Sequence, residues 1–143
     1  MSSHNLTCLI CGTINRVPTD RLGQKPKCAS CGEGLNPPKV REIDFKMLSK
    51  ASKRDGLPLI VDFWAPWCGP CRMMAPEFAK AATELGSAVR FAKINTEDEP
   101  KASQRHNIRG IPSMIMFQNG REIARQSGAM RSDQIKAWVN SQI

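Results

Sequence analysis

The sequence predicts an α/β domain of about a hundred residues standing behind a small cysteine-stapled module. Three observations predict it. From residue 43 onward, segments of helical period alternate with apolar runs of strand length. Before residue 40 the chain is rich in turn residues and has no Phe, Trp or Tyr; its first aromatic is Phe45. All six cysteines fall in CxxC pairs, two pairs in the first segment and one in the second. The 143 residues, 41% hydrophobic and 24% charged, have the make-up of an ordinary globular protein.

The first 40 residues hold too few large apolar side chains to fold on a core alone, so a staple is expected. "GEGLNPPKV" (32–40) is turn and linker chemistry, its Pro37-Pro38 a semi-rigid spacer. We therefore divide the chain into a module with linker, 1–38, and a main domain, 39–143. "IDFKMLSKASK" (43–53) spaces Phe45, Leu48 and Ala51 along one helical face, with Asp44 as the cap. "LPLIVDFWA" (57–65) is a continuous apolar run with one charge, which reads as a strand buried on both faces. A helix follows from about Cys68, in which Pro76 is expected to make a kink. "VRFAKIN" (89–95) reads as a strand and "EDEPKASQRHN" (97–107) as a short helix with His106 on its surface. In "SMIMFQNGREIARQSG" (113–128) the Asn119-Gly120 pair between two apolar runs predicts a hairpin. "RSDQIKAWVNSQI" (131–143) closes the chain as an amphipathic helix capped by Ser132. After the first helix the order is β-α-β-α-β-β-α.

No run approaches the roughly 18 to 20 apolar residues of a membrane span. The first residues lack a basic stretch followed by a long apolar one, so no secretory signal is expected and the cytoplasm is the predicted location. In that compartment six cysteines read as metal ligands or redox groups rather than three structural disulfides. The formal charge of +8 falls to about +6 if four thiolates hold one Zn²⁺. In the first 40 residues five basic residues face two acidic ones with no aromatic among them. Single-stranded nucleic-acid binders stack bases on aromatics, so nucleic acid is not an expected partner.

Cys68 and Cys71 stand where a buried strand turns into a helix, in "FWAPWCGPCRMMAP" (63–76). Only a thiolate attacks a disulfide, and the ordinary thiol pKa is about 8.5. The unpaired N–H groups and positive dipole end of a helix N-terminus favour that thiolate. Bringing the pKa to roughly 7 takes about 2 kcal/mol and raises the thiolate fraction from about 3% to about half. Cys71, one turn on, can close a disulfide and is expected to be the more buried. Gly69 and Pro70 form the turn, and Pro70 loses no needed hydrogen bond there. Asp62, alone in the apolar run, is expected to have a raised pKa unless it lies exposed at the strand end. Trp64 reads as core more readily than as a functional residue, and Met73 and Met74 as helix packing.

"VDFWAPWCGPC" and "RGIPSMIMFQNG" (109–120) resemble the two signature motifs of the thioredoxin family, and the resemblance spans residues 41 to 143. It implies a thioredoxin fold, a central mixed sheet flanked by helices, and thiol–disulfide exchange at a redox-active Cys68–Cys71 disulfide with no bound organic cofactor. It also implies that Pro112 is a cis-proline facing the site and that Ile111 presents backbone groups to an extended substrate. Asp62 then matches the buried aspartate behind the second cysteine, and Lys93 the lysine beside it. Trp67 and Gly128 match the flat apolar rim against substrate. Pro66 stands where many members carry an acid. The expected function is a protein-disulfide reductase acting on disulfide-containing proteins. Thioredoxin reductase, drawing on NADPH, is the expected recycling partner, and the chain is expected to work as a monomer.

Cys8, Cys11, Cys28 and Cys31 form CxxC-x16-CxxC, the spacing of a four-cysteine zinc site. Two disulfides or a second dithiol pair are the alternatives. Gly12 and Gly32 follow the second cysteine of each pair, permitting tight turns whose N–H groups point at sulfur. One closed, structural Zn²⁺ in a zinc-ribbon-like module would supply the folding free energy this segment lacks. A thioredoxin domain behind such an extension is similar to the bacterial thioredoxin two type. The competing reading is a zinc-dependent, redox-regulated chaperone or client-binding protein on the same scaffold.

Overall fold

The computed structural model describes residues 2–143. A hairpin of β1 (Ser3–Thr7) and β2 (Ile14–Pro18) opens the chain. A five-stranded sheet follows, in the order β3-β5-β4-β6-β7. Its strands are β3 (Val40–Glu42), β4 (Leu59–Trp64), β5 (Arg90–Asn95), β6 (Ser113–Gln118) and β7 (Arg121–Ser127). β3, β5 and β4 run parallel; β6 is antiparallel to β4, and β7 to β6. The helices are α1 (Phe45–Arg54), α2 (Gly69–Leu85), α3 (Pro100–Arg105) and α4 (Ser132–Gln142). The sheet is mixed and central, as the α/β reading required.

Alternation along β4 sends side chains to two separate cores. Leu59, Val61 and Phe63 meet Leu48 and Ala51 of α1 and Ala102 of α3. Ile60 meets Met74 and Phe78 of α2 and Ile135 and Val139 of α4. With helices on both faces the strand has no solvent side, which is why it reads as an unbroken apolar run. Asp62 shares the face of Ile60 and is buried there.

Local chemistry accounts for most ends. Asp44 caps α1 by accepting from the Met47 N–H at 2.8 Å. Asn119 and Gly120 both take positive φ in the β6–β7 turn, the conformation an Asn-Gly hairpin needs. Pro76 lies inside α2, which continues through it. β7, the exposed sheet edge, carries Arg121, Glu122, Arg125 and Gln126, side chains that discourage further strand pairing.

Three expectations are corrected and one strand is added. β3 was not anticipated, because three residues are too short to show a period. α3 begins only at Pro100, since Asn95 Oδ1 accepts from the Glu97 N–H and turns the chain first. Ser132 is the first residue of α4 rather than its cap. The free N–H groups of that turn are met by Gln134 reaching back to Arg131 N at 2.9 Å and by Glu77 of α2 accepting from Ser132 N at 2.9 Å. His106 is half-buried, its ring against Phe63 and Phe117 with centroids 5.8 and 5.2 Å away.

The N-terminal segment does not fold on its own apolar residues. Leu6, Val17 and Leu35 share a cluster with Leu57 of the main domain, and Leu9 joins the core around α1. Beneath them Arg90, the first residue of β5, donates to the carbonyls of Thr7 at 2.8 Å and Leu35 at 2.9 Å and pairs with buried Asp55. Asp55 in turn accepts from the Thr7 N–H at 2.9 Å. The linker is held as well: Asn36 donates to the Leu22 and Ser87 carbonyls, and Thr83 to the Pro38 carbonyl.

Candidate active site and metal centre

β4 ends at Trp64 and α2 begins at Gly69, so residues 65–68 form the crossing. The Cys68 N–H donates to the Ala65 carbonyl at 3.1 Å, and Arg72 clamps the loop by donating to the Pro66 carbonyl at 2.8 Å. Cys68 is the N-terminal cap of α2, with Gly69 and Pro70 opening the helix. Its sulfur accepts from the Cys71 N–H at 3.2 Å. That is the placement in which orphan helix N–H groups favour a thiolate. Cys68 and Cys71 are joined as a disulfide, with Cα atoms 5.2 Å apart. They are 5% and 2% exposed, so Cys71 is the deeper by a small margin.

The Ile111–Pro112 bond is cis, and the Ile111 carbonyl lies 3.8 Å from Cys68 Sγ. Gly128 adjoins it, donating to the Pro112 carbonyl at 2.9 Å. Its φ of +94° favours glycine, and a Cβ there would meet no atom, so this rim is open. Trp67, 67% exposed, donates its indole N–H to Glu97. Met73 is 73% exposed, which corrects its assignment to helix packing, whereas Met74 is buried in the core.

Asp62 lies on the sheet face covered by α2, one row beyond Ile60 toward the helix N-terminus that carries Cys71. Burial, chiefly, pushes its carboxyl up to about 7; Lys93 pulls it down and Glu42 pushes it up. Its Oδ1 has no hydrogen-bond partner. Lys93 pairs with Asp62 across β4 and β5 and sits over the Trp64 ring, 5.1 Å from the centroid. Half-buried Trp64 donates to Glu42 at 3.1 Å. Neither Glu42 nor Glu97 stands out in the sequence, since strand pairing and a loop bring them in from a distance.

The other four cysteines also converge. Their sulfurs all lie within 4.8 Å of one another, and Cys8–Cys31 and Cys11–Cys28 are each 3.6 Å apart. Four sulfurs about 2.3 Å from a tetrahedral Zn²⁺ would be about 3.8 Å apart, so the set fits that ion. The two pairs repeat each other bond for bond. The Gly12 and Gly32 N–H groups donate to the Cys8 and Cys28 carbonyls, and the Cys8 and Cys28 N–H groups to the Thr13 and Glu33 carbonyls. The glycines thus close the turns through carbonyls rather than sulfur, and it is the Ser30 N–H that approaches Cys28 Sγ, at 3.4 Å. None of the four is joined in a disulfide; Cys8 and Cys28 are buried, and Cys11 and Cys31 exposed. Among the described residues no helix is long and apolar enough to cross a membrane.

Two family models match the chain, one over each of its parts. The thioredoxin family model matches residues 40–141, and the zinc-ribbon model described as "Thioredoxin 2, N-terminal" matches residues 7–33. Thioredoxin C-3 of Corynebacterium nephridii is 39% identical over 138 residues, covering 96% of this chain and 94% of that protein. The thioredoxin of Rhodospirillum rubrum is 42% identical over 105 residues, covering 69% of this chain and all of the other. Among solved structures, the thioredoxin of Malassezia sympodialis superposes with a TM-score of 0.65 at 30% identity, covering 73% of this chain and 93% of its own. A chloroplastic thioredoxin z gives 0.66 at 31% identity, covering 72% and 93%.

Proposed function

The chain belongs to the thioredoxin family, and from that premise we propose that it is a cytoplasmic protein-disulfide reductase recycled by an NADPH-dependent thioredoxin reductase. In this reading residues 39–143 carry the exchange and residues 1–38 the metal. A disulfide-containing protein lies extended along Ile111 and Pro112, against the rim of Trp67 and Gly128. The Cys68 thiolate attacks one substrate sulfur; the other leaves as a thiolate, and a mixed disulfide remains. Asp62, with Lys93 beside it, takes the proton of Cys71. The Cys71 thiolate then attacks Cys68 Sγ, forming the Cys68–Cys71 disulfide and releasing the second substrate sulfur. Two electrons from the reductase restore the dithiol. The chain works as a monomer.

The observation that carries this is the Cys68 sulfur at the start of α2, backed by an unpartnered buried carboxyl that titrates at about 7. A base with that pKa is half ionised at neutral pH, where it both accepts and gives up a proton readily. Cys68→Ser is expected to abolish insulin-disulfide reduction, and Cys71→Ser to accumulate a mixed disulfide visible by intact-mass spectrometry. Normal turnover by Cys71→Ser refutes the scheme.

Cys8, Cys11, Cys28 and Cys31 would hold a Zn²⁺, which would tie the module together and take no part in the exchange. The exposure of Cys11 and Cys31 favours a second role beside the first, in which oxidation of these ligands frees the metal and changes client binding. Metal release, followed with a colorimetric chelator while the redox potential is stepped, tests it. Retention well past oxidation of Cys68 and Cys71 leaves the module purely structural.

A further inference from the structure

Glu42, Lys93 and Asp62 occupy a single row across β3, β5 and β4. The register pairs Glu42 with Lys93 and Lys93 with Asp62. Paired residues of neighbouring strands point to the same face, so three charged side chains lie in line on the face that α2 covers. Exposure is graded along the row: Glu42 is exposed, Lys93 half-buried and Asp62 buried. Trp64, two residues beyond Asp62 on the same face, ties the row together. Its indole N–H donates to Glu42 Oε2 at 3.1 Å, and the Lys93 ammonium lies over its ring. The indole edge is thus fixed by Glu42, while its face holds Lys93.

The other elements packed on this face bring no further charge to Asp62. β6 places Met114 opposite it, with Met116 along the same strand. α4 contributes Ile135 and Val139, and α2 contributes Met74 and Phe78 together with the Cys71 sulfur at its N-terminal turn. Among the described residues Lys93 and Glu42 act on the Asp62 carboxyl through their charge, and with opposite sign.

We propose that Glu42 is a positioning residue for the exchange: it anchors Trp64 and Lys93 and, by its own charge, sets the proton occupancy of Asp62. Glu42 does this in two ways. Its own negative charge disfavours a second negative charge at Asp62. By holding the indole it also keeps the ammonium over the Trp64 ring, so that Asp62 Oδ1 remains without a partner. Glu42 touches neither substrate nor sulfur. Its consequence for catalysis rests on the role given to Asp62 above, whereas the electrostatic link itself does not.

The test uses the full-length oxidised protein, with the Asp62 carboxyl titrated by carbon-13 NMR, together with stopped-flow release of a model peptide from its mixed disulfide with Cys68. Two charges two strands apart, about 10 Å, and partly screened by water, should displace each other's titration by about half a pH unit. Glu42→Gln keeps an oxygen for the Trp64 N–H and removes the charge. The Asp62 midpoint should fall by about half a unit, and release at pH 6 should quicken about threefold as the carboxylate fraction rises. Glu42→Asp restores the charge and should bring both readouts back toward the parent. An Asp62 midpoint unchanged in Glu42→Gln overturns the inference, whatever the kinetics. A midpoint that falls while the release profile stays in place upholds Glu42 as the residue that tunes Asp62 and instead refutes Asp62 as the proton acceptor.

Discussion

A carboxyl buried without a partner works against folding over a definite range of pH, and Asp62 does so in the range where the site operates. In the unfolded chain it ionises near 4; in the folded protein burial holds it at about 7. Between those values the folded state keeps a proton that the unfolded state has released, so stability falls as pH rises from about 4 to about 7. Asp62→Asn should flatten that decline and raise stability at pH 7.5 by on the order of 3 kcal/mol, while leaving it nearly unchanged at pH 4. Urea unfolding of the oxidised protein at the two pH values measures this. On the proposed scheme the same substitution slows release of a mixed disulfide at neutral pH, since Asp62 is there the acceptor of the Cys71 proton. At this scale Asp62 was legible because a single acid interrupts an apolar run. Trp67 and Gly128 were legible only through resemblance, and Glu42 not at all, because its neighbours are chosen by strand pairing.

At the scale of elements, capping and turn chemistry read well wherever the partners are local. Asp44 and the Asn119-Gly120 turn each act within three residues, and both stand as expected. The start of α4 shows the limit. Ser132 looks like a cap, yet its own N–H is satisfied by Glu77 from another helix, and Gln134 closes the turn from inside. Loss of a capping side chain costs about 1 kcal/mol, so Gln134→Ala and Glu77→Ala should each lower the melting temperature by a few degrees. Ser132→Ala should lower it less. Thermal melts of the three variants decide between the two assignments. His106 follows the same logic: its helical segment looks polar, but the short α3 ends there and turns the ring toward Phe63 and Phe117.

In the whole molecule the four-cysteine module is bonded into the domain that carries the redox centre. The module packs where β4 and β5 begin and along α1, whereas Cys68 follows the end of β4. The Asp55–Arg90 pair is buried between module and domain and bonded to both. Removing one member of such a pair leaves a lone buried charge and costs about 3–5 kcal/mol. Arg90→Met should be destabilised by that amount, and much of it should return when Asp55→Leu is added, by chemical unfolding of the single and double variants. With Zn²⁺ at the four cysteines, as proposed, its removal by a chelator should loosen that anchor and deprive Arg90 of the Thr7 and Leu35 carbonyls. Calorimetry should therefore show the main transition moving to lower temperature, not merely the loss of a small separate one.

The sequence by itself determined the chemistry: two cysteine pairs at metal-ligand spacing, one pair at a strand–helix junction, and an α/β order around it. These are local facts, fixed by spacing along a few residues and by period along one element. Tertiary structure decided what those groups lean on. The Glu42–Lys93–Asp62 row needs three strands in register, and the Asp55–Arg90 contact joins residues 35 positions apart beneath a third segment. Such neighbours are brought together by burial of the two cores, a collective free energy that no short stretch of sequence displays.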